Sequence, residues 1–153
     1  MAEYLTRDSV ETVELNTPIS FIDSIPCTKG YIYHQGGTGI FILRGIVNNS
    51  CASFARYSVK FTGNIAIPEG GTVTPIATAL VLSGGQQQGS RSIFTPAAVS
   101  EYGTVTSRAT IDVPRGCCFT LSVNCVSGVT DGTTTPTPVI NVIDGSLEIN
   151  RVA

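Results

Sequence analysis

The sequence predicts an all-β protein, an antiparallel β-sandwich or jelly roll, and three observations lead there. Several segments alternate apolar and polar residues with a period of two, the pattern of strands with one face in a core and one in water. Turn-forming residues separate these segments at short intervals, with 16 glycines and 8 prolines to supply them. No window of twelve residues combines a helical apolar period with freedom from glycine, proline and β-branched residues, so long helices are excluded.

The elements follow in chain order. Residues 1–26 run extended and acidic (Glu3, Asp8, Glu11, Glu14) toward Ile19-Ser20-Phe21-Ile22 and Pro26. They are read as an extended amino-terminal segment and candidate anchor, held by a partner or by pairing into the sheet, and 27–153 as a single β-sandwich domain. Residues 39–47 (GIFILRGIV), 75–82 (PIATALVL) and 138–143 (PVINVI) are continuously apolar, as expected of strands whose two faces both meet protein, including a second subunit. Residues 56–62 set Tyr57, Val59 and Phe61 on one face and Arg56, Ser58, Lys60 and Thr62 on the other. The same period places Ala109, Ile111 and Val113 opposite Arg108, Thr110 and Asp112, and recurs over 119–125. Turns are expected at Gln35-Gly36-Gly37, Gly63-Asn64, Pro68-Glu69-Gly70-Gly71, Ser83-Gly84-Gly85, Pro114-Arg115-Gly116 and Asp144-Gly145. The best helical segment, 97–102 after Pro96, makes at most one turn. Residues 129–138 (VTDGTTTPTP) read as an exposed connector, with recognition as its other use.

Only 13% of the 153 residues are charged, against about 25% in a typical soluble domain, and mean hydropathy is +0.24. An exterior so short of charge fits a surface partly covered by neighbouring subunits. A formal net charge of −2, with Lys29, Lys60 and seven scattered arginines, offers no stripe for phosphates, and nucleic acid is not an expected partner. No segment has the length of a membrane span and the opening residues lack a signal-peptide pattern, so folding in a cytoplasm is expected and a membrane partner is not.

Enzyme chemistry finds little support. The single histidine, His34, stands at a strand end before a turn, and no nucleophile elbow, metalloprotease motif, phosphate loop or dinucleotide fingerprint occurs. Glu101 and Asp112 would serve a glycosidase only if neighbouring strands brought them within about 5–9.5 Å. Cys27, Cys51, Cys117, Cys118 and Cys125 are odd in number and irregular in spacing, and are read as free, mostly buried thiols. Zinc at Cys117, Cys118 and Cys125 fails because adjacent strand residues face apart and the outer two would lie about 26 Å from each other. Asp131, Asp144 and Glu148 match no calcium loop, and Asn48-Asn49-Ser50 is a chance glycosylation pattern. No catalytic, cofactor-binding or metal-binding residue is assigned, no cofactor is expected, and the protein is not expected to be an enzyme.

The segments GNIAIPEGGTVTPIATALVLSGG (63–85), FTPAAVSEYGTVTSRATIDVPRGCCFTLSVN (94–124) and INVIDGSLEINRVA (140–153) resemble a family of small virion proteins of tailed phages. These occur in gut phages, including crAss-like ones, and the opening residues 2–45 are similar to their amino-terminal halves. The motifs IPEGGTV, TPAAVSEY and VPRGCC carry the match, while Asn48-Asn49-Ser50-Cys51 departs from the family pattern. The resemblance implies a head decoration (auxiliary capsid) or head-fibre protein with a fold similar to the trimeric TNF/C1q-like jelly roll. It implies a homotrimer on the capsid exterior, with the phage major capsid protein or another virion protein as partner. The alternative is a receptor- or glycan-binding adhesion module on a phage fibre.

Overall fold

A computed structural model describes residues 2–6, 9–25, 30–47, 51–87, 89–129 and 139–152. Twelve strands occur among them: β1 (Ala2–Leu5), β2 (Glu11–Glu14), β3 (Asp23–Ile25), β4 (Ile32–His34), β5 (Phe41–Arg44), β6 (Phe54–Ala66), β7 (Ile76–Leu82), β8 (Gly85–Gln86), β9 (Ser92–Phe94), β10 (Gly103–Pro114), β11 (Cys118–Ser127) and β12 (Val139–Arg151). The described residues contain no helix; the 97–102 segment makes bends and a turn.

The strands form two antiparallel sheets. One has the order β10-β6-β12-β1-β3 with β2 also on β12; the other has the order β4-β5-β11-β7-β8 with β9 also on β7. Their inner faces meet in one core whose largest members are Tyr57, Phe21, Phe41 and Phe61, all fully buried. Phe41 joins Tyr4 and Phe21 edge to face, with ring centroids 4.6 and 5.4 Å apart. Polar atoms inside are paired across the sandwich. The Tyr57 hydroxyl lies 2.6 Å from the Arg44 carbonyl, and the Thr78 and Ser107 hydroxyls lie 2.8 Å apart, so each sheet is tied to the other by a bond that water does not contest.

Two glycines read from sequence as turns lie inside long strands. A Cβ on Gly63 would come within 2.6 Å of the Phe61 ring, and one on Gly145 within 2.8 Å of the Thr6 side chain, so both are glycine because the neighbouring side chain fills that space. At Asp144 (φ 53°) and Gly145 the register of β12 on β6 shifts between Ile143 and Ser146. This is a bulge, and β12 continues beyond the expected 138–143 segment to Arg151. Gly145 exchanges two hydrogen bonds with Thr6, its carbonyl accepting from Thr6 N–H (3.0 Å) and its N–H donating to Thr6 Oγ1 (2.8 Å).

The described part of segment 1–26 is extended, yet it is woven into the sandwich instead of standing apart as an anchor. β1 lies between β12 and β3, and β2 pairs with β12. The chain then crosses to the other sheet, where Asn16 and Ile19 N–H groups donate to the β11 carbonyls of Cys125 and Val123 (both 2.8 Å). Ile22 N–H returns to the Leu5 carbonyl at 2.9 Å. The physical reason is burial: Tyr4, Val13, Ile19 and Phe21 contribute to the common core and have no other apolar surface to cover them.

The apolar runs also sit differently from a subunit-facing surface. Residues 39–47 and 75–82 supply β5 and β7 of the second sheet, and Ile76 to Leu80 are buried without a second subunit. Alternate residues of β7 face the core, while Ala77 and Ala79 form a separate small buried cluster with Val126 on the far side. From 39–47, Phe41 and Leu43 point inward and Ile40 and Ile46 stay exposed.

Candidate functional site

The three longest strands, β6, β10 and β12, lie in one sheet, and alternation alone builds its outer face. In β6, Ala55, Tyr57, Val59, Phe61 and Ile65 point to the core, which turns Arg56, Ser58, Lys60, Thr62 and Asn64 outward. The pairing of β10 with β6 is unbroken from Gly103↔Ile65 to Pro114↔Phe54, so outward residues line up in rows across the strands. One row is Thr110, Ser58 and Asn150; another is Thr106, Thr62, Ser146 and Leu5. Thr104 Oγ1 donates to Asn64 Oδ1 and Thr12 Oγ1 to Asn141 Oδ1, each at 2.8 Å between register partners. Between its charged side chains the face is thus a ladder of short hydroxyl and amide groups, low in conformational entropy to order.

At one end of this face Arg56 grips Asp112 with two of its three guanidinium nitrogens, Nε to Oδ1 at 2.7 Å and Nη2 to Oδ2 at 3.1 Å. The hydrogen bond from Arg56 holds the Asp112 carboxyl below its ordinary pKa. Both side chains are exposed, so water and salt screen the pair. Beside it an open cleft of about 370 Å³ is lined by Ser58, Val59, Gly89, Arg108, Ala109 and Thr110. Its donors are one guanidinium and two hydroxyls.

The residues weighed for chemistry do not converge. His34 stacks on Phe41 (centroids 4.3 Å, 13°), meets Tyr4 edge-on at 5.0 Å, and has Nε2 2.8 Å from the Thr38 carbonyl. That is a packed, hydrogen-bonded ring with no nucleophile beside it. Asp112 is near the end of β10 and Glu101 precedes its start, which places them about 30 Å or more apart along one extended strand. They make no carboxylate pair.

Cysteine burial corrects the sequence reading: Cys51, Cys117 and Cys118 are exposed, and of the four described cysteines only Cys125 is buried. Cys117 and Cys118 surface because they close the tight connection between β10 and β11. Burial, and then the charge of Glu11, push the Cys125 thiol up to about 12. Among the described residues no group of three His, Cys, Asp or Glu side chains is placed to hold a metal. Cys27, Asp131, Asn48-Asn49-Ser50 and nearly all of the 129–138 connector lie outside the described residues.

Sequence reasoning found the strands that carry the outer face and assigned it to water. It missed the rows, because register between strands distant in sequence is set by packing and not by either strand alone.

No protein-family model and no curated protein matches the chain. Solved structures do. The globular domain of a zebrafish complement 1qA protein matches with a TM-score of 0.56 at 14% identity, over 95% of this chain and 93% of that one. Eiger TNF from S. frugiperda matches with a TM-score of 0.62 at 9% identity, over all of this chain and 92% of that one. Murine APRIL matches with a TM-score of 0.55 at 9% identity, over 96% and 97%. At such identities the likeness is one of fold, and with the two antiparallel sheets described above it makes this chain an all-β, TNF/C1q-like jelly roll.

Proposed function

We propose that the chain acts by contact and not by turnover, as a homo-oligomeric jelly-roll subunit that decorates or stabilises a phage capsid, an auxiliary capsid or head-fibre protein. The observation that carries this reading is the outer face of the β10-β6-β12-β1 sheet, where neutral Thr, Ser and Asn rows flank a single row of charged side chains in a chain only 13% charged. Short side chains of this kind meet another protein at small entropic cost. The sequence resemblance supplies the finer part: a trimer, assembled in a bacterial cytoplasm and displayed on the capsid exterior, with the major capsid protein or another virion protein as second partner. Such a protein works by binding only the assembled shell, which mass action then stabilises.

Quantitative mass spectrometry of purified particles, split into head and tail fractions, tests it. Copy numbers approaching the shell protein in heads support decoration, a small symmetric number supports a fibre, and absence from particles overturns the virion reading.

A receptor- or glycan-binding module is the second reading, favoured by the Arg108, Ser58 and Thr110 cleft. A glycan-array signal lost in Arg108→Ala would promote it over the first; a blank array would remove it.

A further inference from the structure

Charge on the outer face of the β10-β6-β12-β1 sheet is segregated. Arg108 of β10 is opposite Lys60 of β6, Lys60 is opposite Glu148 of β12, and Glu148 is opposite Glu3 of β1. One row therefore reads plus, plus, minus, minus across four neighbouring strands spaced about 4.8 Å apart. Asp23 of β3 lies in the next row, opposite Leu5, and extends the acidic end.

Like charges directly opposite each other on a sheet repel. Here the repulsion occurs twice in a single row, although exchanging the charges of Lys60 and Glu148 would have given an alternating row with none. The only ion pair among the described residues is Arg56 with Asp112. Those two neutralise each other, while Lys60 and Arg108 form no ion pair with another described residue. Lys60 and Arg108 are exposed, while Glu3 and Glu148 are half-buried, with Glu3 accepting a hydrogen bond from Ser146 Oγ at 3.2 Å. Glu3 is thus held by a hydrogen bond, and the two cations stand in water.

We infer that this row is the register of a contact between copies of the chain: Lys60 and Arg108 of one copy meet Glu3 and Glu148 of the next. A face with a basic half and an acidic half is complementary to itself when opposite halves meet, and it repels when like halves meet. The neutral Thr110-Ser58-Asn150 and Thr106-Thr62-Ser146 rows on either side let the two surfaces close without burying further unpaired charge. Repeated head to tail from copy to copy, such a contact generates a ring where its rotation closes. The inference deepens the homo-oligomer reading and rests on it.

Charge reversal tests it, with light scattering across a dilution series giving mass and dissociation constant, and circular dichroism confirming the fold of each variant. Lys60→Glu/Arg108→Glu and Glu3→Lys/Glu148→Lys each leave all four charges alike, and each is expected to weaken assembly by about 100-fold or more. Combining all four substitutions in one chain restores a self-complementary row and is expected to restore assembly. Should a reversed chain fail to fold, Lys60→Gln/Arg108→Gln removes the charge without the repulsion, and it too is expected to weaken assembly. An oligomeric wild type with indifferent variants overturns this contact and leaves the homo-oligomer reading standing. So does a fourfold reversal that folds but stays monomeric while both half-reversals dissociate. A wild type that is monomeric at every concentration overturns both.

Discussion

The two faces of β6 share one backbone and do opposite work. Its inward residues Tyr57 and Phe61 are fully buried, and Tyr57 reaches across the sandwich to the Arg44 carbonyl. Its outward residues Ser58 and Lys60 touch little within the chain and stand in rows with β10 and β12. On the proposed contact, stability and recognition are separable at single-residue spacing: a substitution at 57, 59 or 61 is expected to act on folding, one at 58 or 60 on association. The perturbations that follow would break or sharpen that division.

The largest effect is expected from removing residues 1–26. Val13, Ile19 and Phe21 are buried, and at about 1.5–3 kcal/mol each their loss approaches the whole stability of an ordinary domain. Circular dichroism on the truncated chain should show no cooperative melt; a normal melt would mean that the segment is an appendage after all. Phe61→Ala follows, at about 3–5 kcal/mol in urea unfolding, because the ring packs against Gly63 and Gly145 and leaves a cavity that glycine cannot fill. Tyr57→Phe removes one hydroxyl and its hydrogen bond to the Arg44 carbonyl, for about 0.5–1.5 kcal/mol. On the other face, Ser58→Ala and Thr110→Ala should each move stability by no more than about 0.5 kcal/mol. A loss comparable to that of Tyr57→Phe would erase the distinction between the faces.

Titration sharpens it further. The Asp112 carboxyl is held below its ordinary value of 3.8 by Arg56, so its contribution to stability is complete above 3.8 and disappears as pH falls through the lowered value. Both groups being exposed, Asp112→Asn should flatten only a shallow acid limb in a pH series of thermal melts. The buried Cys125 behaves in the reverse sense. Its thiol is raised from 9.0 to about 12, so its contribution is intact below 9 and is lost as pH climbs toward 12. At pH 8 an alkylating reagent should modify Cys117 and Cys118 in the folded chain and reach Cys125 only after denaturation.

Much of this architecture is legible in the residues. Tyr57, Val59 and Phe61 against Ser58 and Lys60 announce a half-buried strand, and Ala109, Ile111 and Val113 announce its neighbour. Legibility fails where a residue's reason lies elsewhere in the chain. Gly63 and Gly145 look like turns because nothing near them in sequence reveals the Phe61 ring or Thr6 that occupies their side-chain space. The acidic amino-terminal stretch looks like an arm because its partners, β11 and β12, are more than 100 residues away. Cys117 and Cys118 look like core residues by type, and a tight connection places them outside. The charged row is hidden most completely, since Glu3, Lys60, Arg108 and Glu148 are scattered over the chain and only the register of four strands aligns them.

The most direct test of a protein that works through contact is the mass of the wild-type chain in solution, measured by light scattering at micromolar concentration and moderate salt. The account predicts a discrete closed oligomer, a trimer at three times the 16.0 kDa chain mass, that loosens as salt screens the charged row. A single 16.0 kDa species at every concentration and salt would contradict it.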